Sequence, residues 1–463
     1  MDVRIRGLNG KMLNADSTIT VPASKSHTIR ALLIASAAEG ESRLINPLDS
    51  ADARSCIDTC RSFGALIDTD GRTDGGLPLW TVTGCGNKLR STARGDKIIT
   101  IDVGNSGTSL YLAAGIAALG GRKIRFTGDE QIQRRPVKAL LGALSDLGAG
   151  VEIEGESPPF NITGPLRGGR TSIKCPTSQY LSSLLICTPL AEGAGETAAE
   201  SIIDVPLLME KPYVEMTLRW LDRQGIEYTN NNFKRFTIKG GQSYSAFESI
   251  IPGDFSSAAF PLVAAAITGS KLQLAGLDIT DSQGDKAVID YLRIMGCRID
   301  TPADDRGCIT IYGPGHPGCP ASTLKAAEFD LNDTPDALPA MAVAACNACG
   351  TTKLYNVPQA RLKETDRIRV MQQELTHLGA DIEEIPDGLI IRGTEAGTPG
   401  LAPLQGARLN GHDDHRVVMS LALAALTCEG ETVISGAEAV DITYPGFFEQ
   451  LGKLTDEANN ENL

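Results

Sequence analysis

The sequence predicts an α/β protein of two domains that is built from six similar units. In each unit a short polar segment runs directly into an alanine-rich apolar segment of helical length, as in PASKSHTIRALLIASA and DDHRVVMSLALAA. An internal period of this kind is the strongest single indication of architecture. A solenoid of stacked units is the alternative, but solenoid periods are usually about 20–50 residues. The polar segments are marked by Lys25, Asn105, Ser178, Asp254, Asp336 and Asp414, at intervals of 73 to 82 residues.

The elements that follow each apolar helix also recur. A Gly-x-Thr or Gly-x-Lys step leads into a short strand, as at 350–354 and 430–434. A second helix then ends at a glycine, which favours a left-handed helix terminus. One or two further strands complete the unit, so the order β-α-β-α-β-β predicts mixed sheets packed on buried helices. The glycine ends are Phe63-Gly64-Ala65, Leu147-Gly148-Ala149, Met295-Gly296-Cys297 and Leu378-Gly379-Ala380.

Length and composition limit the possible functions. A chain of 463 residues exceeds what one hydrophobic core usually organises, so we expect two domains of three units each. The formal net charge of −14 argues against nucleic acid or an anionic membrane as the partner. No apolar run has the length of a membrane span, and no secretory segment follows Met1. Eleven scattered cysteines fit reduced thiols, and we expect a cytoplasmic location.

The polar segments favour binding of anions. The first turn of a helix has unpaired N–H groups and a partial positive charge, so several helix starts that converge would form an anion site. Arginine suits planar binding of carboxylate, and lysine provides a point charge for phosphate or carries a proton. Each cation alone fits an ordinary surface charge, but their joint placement predicts substrates with phosphate and carboxylate groups. The cations are Lys25, Arg30, Arg135, Lys363, Arg367 and Arg416.

Nine segments, in order over nearly the whole chain, match one known family. They are PASKSHTIRALL, GNSGT, RRPV, TSQYL, PGDFSSAAF, TPDALPAMA, RLKETDRI, DDHRVVMSLALAAL and YPGFFEQL. With them the chain resembles the 5-enolpyruvylshikimate 3-phosphate synthases, a family of enolpyruvyl transferases. RLKETDR together with DDHR is highly specific, whereas GNSGT alone is weak.

The resemblance implies the enolpyruvyl transferase fold, an inside-out α/β barrel of two domains with three βαβαββ repeats each. Residues 23–251 are expected to form the N-terminal domain. Residues 1–22 and 252–463 are expected to form the C-terminal domain, which includes the N-terminal strand. The active site is expected in the cleft between the domains, which close over the substrates.

The resemblance also implies a reaction. The enolpyruvyl group of phosphoenolpyruvate moves to the 5-hydroxyl of shikimate 3-phosphate, and phosphate is released by addition and elimination through a tetrahedral intermediate. Phosphoenolpyruvate carries its own leaving group, so no metal and no organic cofactor is expected. These two small molecules are the expected partners, and the chain is expected to be a monomer.

Two proton transfers in this reaction need two groups. Asp336 and Lys363 match the family positions proposed for the hydroxyl proton, and Glu364 matches the position proposed for the methylene proton. Lys25 matches the lysine between the two substrates. An ordinary ion pair around Lys363 is the alternative. His415 is expected to orient its neighbours rather than to donate protons.

The acceptor-binding residues follow from the same match. Ser26 and Arg30 match the residues that hold the shikimate carboxylate. Thr177 and Ser178 fall where the family has two serines on the acceptor phosphate, and Gln179 is the next residue of that segment.

Phosphoenolpyruvate is expected to bind at Gly107 and Arg135 through its phosphate and at Arg367 and Arg416 through its carboxylate. Asn105 fits a helix cap as well as a ligand. The full set of expected substrate-binding residues is Lys25, Ser26, Arg30, Asn105, Gly107, Arg135, Thr177, Ser178, Gln179, Tyr213, Asp336, Gln359, Lys363, Arg367, His415 and Arg416.

One departure from the family concerns the acceptor phosphate. Where known members have a serine before Lys-Pro-Tyr, this chain has Glu210. A carboxylate about 4 Å from a phosphate charge would cost about 4 kcal/mol per unit charge at an effective dielectric constant near 20. Glu210 must therefore turn away, pair with a cation, or indicate a different acceptor.

Two further departures remove cations near phosphoenolpyruvate. The family arginine six residues after the Asn of GNSGT is Tyr111, and the lysine that some members have near the C-terminus is Ile442. We expect weaker binding of phosphoenolpyruvate and of anionic inhibitors that imitate it. Inhibition curves with glyphosate check this, and ordinary sensitivity would contradict the prediction.

Three alternatives remain open at this point. A UDP-N-acetylglucosamine enolpyruvyl transferase would share the fold, but its loop cysteine has no counterpart between Gly128 and Pro136, and it lacks the KETDR segment. An enolpyruvyl transferase for another cyclic alcohol would place Glu210 against a hydroxyl. A non-catalytic anion-binding relative would not need the proton-handling residues.

Overall fold

The computed structural model divides into two units. Residues Ala23–Pro252 form one unit, and Met1–Pro22 together with Gly253–Leu463 form the other. The chain therefore enters the first unit after residue 22 and leaves it after residue 252. The structure describes residues 1–14, 18–86, 98–193, 199–302, 307–393 and 404–455.

The predicted apolar helices are confirmed. They are buried on nearly all faces, which is typical of helices that are apolar all round. Four begin at a side-chain cap, provided by Ser24, Ser106, Thr177 and Asp414. In the described residues the helices are α1 (Lys25–Ala37), α2 (Ala51–Ser62), α3 (Gly107–Ala117), α4 (Lys138–Asp146), α5 (Ser178–Cys187), α6 (Lys211–Arg223), α7 (Phe255–Thr268), α8 (Val288–Ile294), α9 (Leu338–Cys346), α10 (Arg367–His377), α11 (His415–Thr427) and α12 (Phe447–Leu454).

The strands are short and alternate with these helices along the chain. The first thirteen are β1 (Asp2–Arg6), β2 (Thr18–Thr20), β3 (Glu41–Ile45), β4 (Leu66–Arg72), β5 (Pro78–Thr83), β6 (Ile99–Asp102), β7 (Ile124–Thr127), β8 (Gly150–Ile153), β9 (Phe160–Thr163), β10 (Gly169–Cys175), β11 (Glu200–Leu208), β12 (Tyr228–Asn231) and β13 (Arg235–Lys239). The others are β14 (Glu248–Ile250), β15 (Lys271–Ala275), β16 (Arg298–Asp300), β17 (Ile309–Tyr312), β18 (Leu324–Lys325), β19 (Glu328–Asp330), β20 (Ala348–Cys349), β21 (Thr351–Tyr355), β22 (Asp381–Ile385), β23 (Gly388–Arg392), β24 (Arg408–Asn410) and β25 (Glu431–Ser435).

One sheet pattern recurs in both units. The sheets of unit Ala23–Pro252 have the orders β14-β3-β5-β4, β6-β7-β9-β8 and β10-β11-β13-β12. The other unit has β2-β15-β17-β16, β19-β21-β23-β22 and the three-stranded β24-β25-β1, besides the small pair β18-β20. In each of these six larger sheets the first two strands are parallel and the remaining pairs are antiparallel. The predicted α/β class with mixed sheets is confirmed.

Two of these sheets are completed by strands from distant parts of the chain. Strand β2 lies just before the first crossing and pairs with β15, more than 250 residues later. Strand β14 lies just before the second crossing and pairs with β3. Each crossing is therefore fixed by a strand that pairs within the unit that the chain is leaving.

Each unit has its own hydrophobic core, formed by its apolar helices and the inner faces of its sheets. The predicted glycine ends of the second helices are confirmed, with positive φ at Gly64, Gly148, Gly296 and Gly379. In the described part of the chain, no helix combines the length and apolar character that a membrane crossing needs.

Candidate active site

The unit that contains Gly253–Leu463 holds a compact group of charged side chains at the starts of its helices. Asp336 lies in a 3₁₀ turn, Pro335–Ala337, directly before α9. Arg367 is the first residue of α10, and Asp414 caps α11. The starts of these three elements lie together, so residues far apart in the chain meet at one place.

Arg367 is the centre of this group and is 1% exposed. Its Nε donates to Asp414 Oδ2 at 2.8 Å, and one terminal nitrogen donates to Asp336 Oδ1 at 2.7 Å. The other terminal nitrogen donates to Glu364 and, at 3.2 Å, to Asp414 Oδ1. Burial alone would lower the pKa of Arg367, but Asp414, Glu364 and Asp336 outweigh burial and raise the pKa. The guanidinium is therefore charged and held in one orientation.

Asp336 joins Arg367 to two further cations. Its Oδ2 lies 3.0 Å from a terminal nitrogen of Arg416, and its Oδ1 lies 3.8 Å from Lys363 Nζ. Burial opposes ionisation of Asp336, yet Arg416, Lys363 and Arg367 together hold its pKa well below the ordinary value. The distance between Lys363 and Asp336 is longer than a hydrogen bond, so these two side chains interact through Coulomb attraction.

The other residues expected in this unit lie near the same helix starts. Gln359 donates from Nε2 to the backbone oxygen of Asn332 at 2.9 Å. His415 is buried as the first residue of α11. Thr365 donates to Asp414 Oδ2 at 3.2 Å. Asp414 marks one of the six polar segments, but its pairing with Arg367 was not predicted from the sequence.

In unit Ala23–Pro252, the expected site residues form several smaller groups. Lys25 begins α1, and its Nζ lies 3.1 Å from Asp52 Oδ2. Both side chains are mostly buried, and Asp52 was not identified from the sequence. Since α2 carries Asp52 in its first turn, this pair fixes the position of the Lys25 ammonium.

Arg30 is 1% exposed and has only neutral hydrogen-bond partners in the part of the chain that the structure describes. It donates to Thr217 Oγ1 at 2.9 Å, to the Ser26 backbone oxygen at 3.0 Å and to the Tyr213 backbone oxygen at 3.1 Å. Burial lowers the pKa of Arg30 to about 10. An anionic group placed next to this cation would offset its loss of hydration.

The segment that contains Asn105 places an arginine against a helix start. The helix cap of α3 is Ser106, so the alternative of an Asn105 cap is wrong. Asn105 Nδ2 instead donates to Asp129 Oδ2 at 2.6 Å and to Gln131 Oε1 at 2.8 Å. A methyl group on Gly107 would lie 2.2 Å from a terminal nitrogen of Arg135, so only glycine allows this approach.

Tyr111, which stands in place of a family arginine, contributes to the same region. Its hydroxyl donates to the backbone oxygen of Pro136 at 3.2 Å, and Tyr180 donates to that oxygen at 2.6 Å. The two rings meet edge to face with centroids 5.2 Å apart. Both tyrosines thus fix the backbone next to Arg135. Ile442 ends a 3₁₀ turn, Ala437–Ile442, and packs on the core of its own unit.

Thr177 and Ser178 lie at the start of α5 together with Glu210. Thr177 caps the helix and accepts from the Gln179 N–H at 3.4 Å. Glu210 Oε2 accepts from Ser178 N at 3.1 Å, Ser178 Oγ at 2.8 Å and Thr177 Oγ1 at 3.2 Å. In this structure the Glu210 carboxylate is therefore turned towards Thr177 and Ser178.

The chain is similar to known proteins over nearly its whole length. A family model described as EPSP synthase (3-phosphoshikimate 1-carboxyvinyltransferase) matches residues 11–451. A 3-phosphoshikimate 1-carboxyvinyltransferase of Ruminiclostridium cellulolyticum is 49% identical over 436 residues, which are 94% of this chain and 95% of the relative. One of Methanocella arvoryzae is 40% identical over 94% of this chain and 96% of its own. The structure of an EPSP synthase from Acinetobacter baumannii matches with a TM-score of 0.75 and 27% identity over 98% of both chains. The chain belongs to the EPSP synthase family.

Proposed function

We propose that this chain transfers the enolpyruvyl group of phosphoenolpyruvate to the 5-hydroxyl of shikimate 3-phosphate and releases phosphate. Family membership over nearly the whole chain is the observation that carries the proposal. The buried group of Asp336, Lys363, Glu364 and Arg367 supports it further, since binding alone would not need paired acids and a lysine. The reaction belongs to the shikimate pathway and leads towards aromatic amino acids.

Asp336 and Lys363 handle the hydroxyl proton in this proposal. The 5-hydroxyl oxygen forms a bond to the central carbon of phosphoenolpyruvate while its proton passes to this pair. Asp336 is a weak base while Arg367 and Arg416 bind it. The substrate carboxylate competes for the same two arginines, so its arrival makes Asp336 more basic at the moment when a base is needed.

Glu364 handles the methylene proton. It gives a proton to the methylene carbon during addition, which yields a methyl group on the tetrahedral intermediate. During elimination the methyl group returns a proton to Glu364, the carbon–oxygen bond to phosphate breaks, and phosphate leaves with the proton that Asp336 and Lys363 took from the hydroxyl. Contact with Arg367 holds the Glu364 carboxyl group in position for both steps.

The binding roles are assigned by the match to the family and supported by the chemistry of each group. Ser26 and Arg30 bind the shikimate carboxylate, while Thr177 and Ser178 bind the acceptor phosphate and Gln179 lies next to them. Gly107 and Arg135 bind the phosphate of phosphoenolpyruvate, and Arg367 and Arg416 bind its carboxylate. Lys25 lies at both substrates. The remaining members of the expected substrate-binding set are Asn105, Tyr213, Gln359 and His415.

The decisive experiment mixes purified protein with phosphoenolpyruvate and shikimate 3-phosphate and follows the release of inorganic phosphate. Shikimate without its phosphate and the Glu364→Gln variant are the controls. Rapid release that depends on the 3-phosphate, and that falls sharply in the variant, supports the proposal. Absence of release by folded protein would contradict it and would favour an enolpyruvyl transferase for a different cyclic alcohol.

We also propose that the protein is a cytoplasmic monomer. All eleven cysteines are free, and most are buried, which fits a reducing compartment. Light scattering after size-exclusion chromatography measures the oligomeric state. A mass of about twice the 49.0 kDa of the chain would contradict the monomer.

A further inference from the structure

Glu210 occupies a set of donors that the proposed function assigns to the acceptor phosphate. All three donors belong to Thr177 and Ser178 at the start of α5, and the residue is 1% exposed. Unpaired N–H groups and the partial charge of a helix start favour an anion at this point. The chain itself therefore supplies an anion to this subsite.

The sheet explains why Glu210 reaches this place. Strands β10 and β11 are parallel, with Cys175 opposite Leu208, and Met209 N donates to the Cys175 backbone oxygen at 3.0 Å. Two parallel strands that end together bring the residues that follow them to the same edge of the sheet. The strand ends thus hold the Glu210 backbone next to Ser178.

The backbone of Glu210 is itself unusual. Its φ of 57° and ψ of 42° lie in the left-handed region, which few residues other than glycine adopt. Glu210 precedes α6 without capping that helix through its side chain. Its carboxylate instead accepts hydrogen bonds from the neighbouring helix α5, so its contacts are directed to the proposed phosphate subsite.

We propose that Glu210 is a specificity-determining residue that competes with the acceptor phosphate for Thr177 and Ser178. This inference rests on the proposed function. Phosphate and carboxylate are both anions that need the same donors, so the phosphate binds only after the carboxylate leaves. Glu210 thus lowers the affinity for phosphorylated acceptors and keeps small inorganic anions out of the subsite.

Calorimetric titration of the full-length protein, without phosphoenolpyruvate, tests this. Glu210→Gln retains the volume and a hydrogen-bond acceptor without the charge, and Glu210→Ser shortens the side chain. Both variants are expected to bind shikimate 3-phosphate at least about 10-fold more tightly than the wild type. The reason is that contact between two negative groups, the Glu210 carboxylate and the acceptor phosphate, is strongly unfavourable. The affinity for unphosphorylated shikimate is expected to change by less than about 2-fold, since that ligand lacks the competing group.

Glu215→Gln is the matched control. Glu215 lies on the same helix, α6, and pairs with Lys211 at 3.7 Å without contact to Thr177 or Ser178. The Glu215→Gln substitution also removes one negative charge. The affinity of this variant for shikimate 3-phosphate is expected to equal that of the wild type. Thermal shifts with inorganic phosphate provide a second measurement, in which phosphate should stabilise Glu210→Gln more than the wild type.

The outcomes separate this inference from the proposed function. If shikimate 3-phosphate binds Glu210→Gln no more tightly than the wild type, the inference is overturned, even if the wild type releases phosphate normally. If the wild type is folded but never releases phosphate with this acceptor, the proposed function fails. The titrations do not depend on turnover, so a selective gain for phosphorylated ligands in the variants would still support competition by Glu210. If Glu210→Ser is misfolded, the Glu210→Gln result decides.

Discussion

Replacing Arg367 by methionine is expected to lower the free energy of unfolding by about 3–5 kcal/mol, the usual cost of breaking a buried ion pair from one side. The change leaves Asp414 and Glu364 without their shared guanidinium and takes one cation from Asp336. Methionine fills a similar volume, so the loss of stability is due to the missing charge and not to a cavity. Denaturant unfolding of the variant and the wild type measures the difference.

Arg392→Met is the matched control for this prediction. Arg392 contacts two carboxylates, those of Asp381 and Glu383 at 3.0 Å each, whereas Arg367 contacts three, and the side chain of Arg392 is 46% exposed. Exposed ion pairs contribute only about 0–1 kcal/mol. If the Arg367 and Arg392 variants lost the same free energy of unfolding, the buried ion pairs of Arg367 would contribute no more to stability than the exposed ion pairs of Arg392.

The same group predicts how stability depends on pH. Asp336 has a folded-state pKa below that of the unfolded chain, which is about 3.9 for an aspartate. Its contribution to stability is therefore complete above that value and is lost as the pH falls further. Arg367→Met removes one cause of the low pKa, so the stability of the variant should depend less on pH below about 4 than that of the wild type.

The second large effect is expected for Glu364→Gln. Glutamine cannot exchange a proton with the methylene carbon, so we expect kcat to fall by about 10²–10⁴-fold, the usual contribution of general acid–base catalysis. Glutamine can still accept the hydrogen bond from Arg367, and Asp336 and Asp414 still pair with that guanidinium, so stability and KM should change little. Phosphate release measures the loss of overall turnover. Exchange of solvent deuterium into the methylene group of phosphoenolpyruvate measures the loss of proton transfer at that carbon.

Glu384→Gln controls for the loss of a charge. Glu384 pairs with Arg361 at 2.7 Å, as Glu364 pairs with Arg367, but it lies on strand β22 and is partly exposed. The kcat of the Glu384→Gln variant is expected to equal that of the wild type. If Glu364→Gln retained kcat within a few fold of the wild type, Glu364 would not be the group that handles the methylene proton.

The sequence predicted local elements well because their causes are local. The alanine-rich segments after the polar motifs are apolar on all sides, and the structure confirms them as buried helices such as α1 and α11. Glycines at the ends of second helices, such as Gly64 and Gly148, adopt the left-handed conformation that their positions suggested. Cap assignment was less secure, since Ser106 rather than Asn105 caps α3.

Partners across the chain could not be predicted in the same way. The Arg367–Asp414 contact joins residues 47 apart, and Lys25 pairs with an aspartate, Asp52, that the sequence does not mark. Strand β2 has only three residues, too few for a pattern, yet it pairs with β15. Such contacts depend on how elements pack, which side-chain periodicity does not encode.

The α/β class, the six buried helices, the glycine ends of the second helices and the family all followed from the amino-acid sequence alone. Periodicity, caps and turn residues act within a few positions, so the chain carries their signal directly. Two findings required the packed structure. Asp336, Glu364 and Asp414 share the Arg367 guanidinium, and Glu210 accepts hydrogen bonds from Thr177 and Ser178. These outcomes depend on parallel strands that end together and on buried charges that must find partners, and both are properties of the packed molecule.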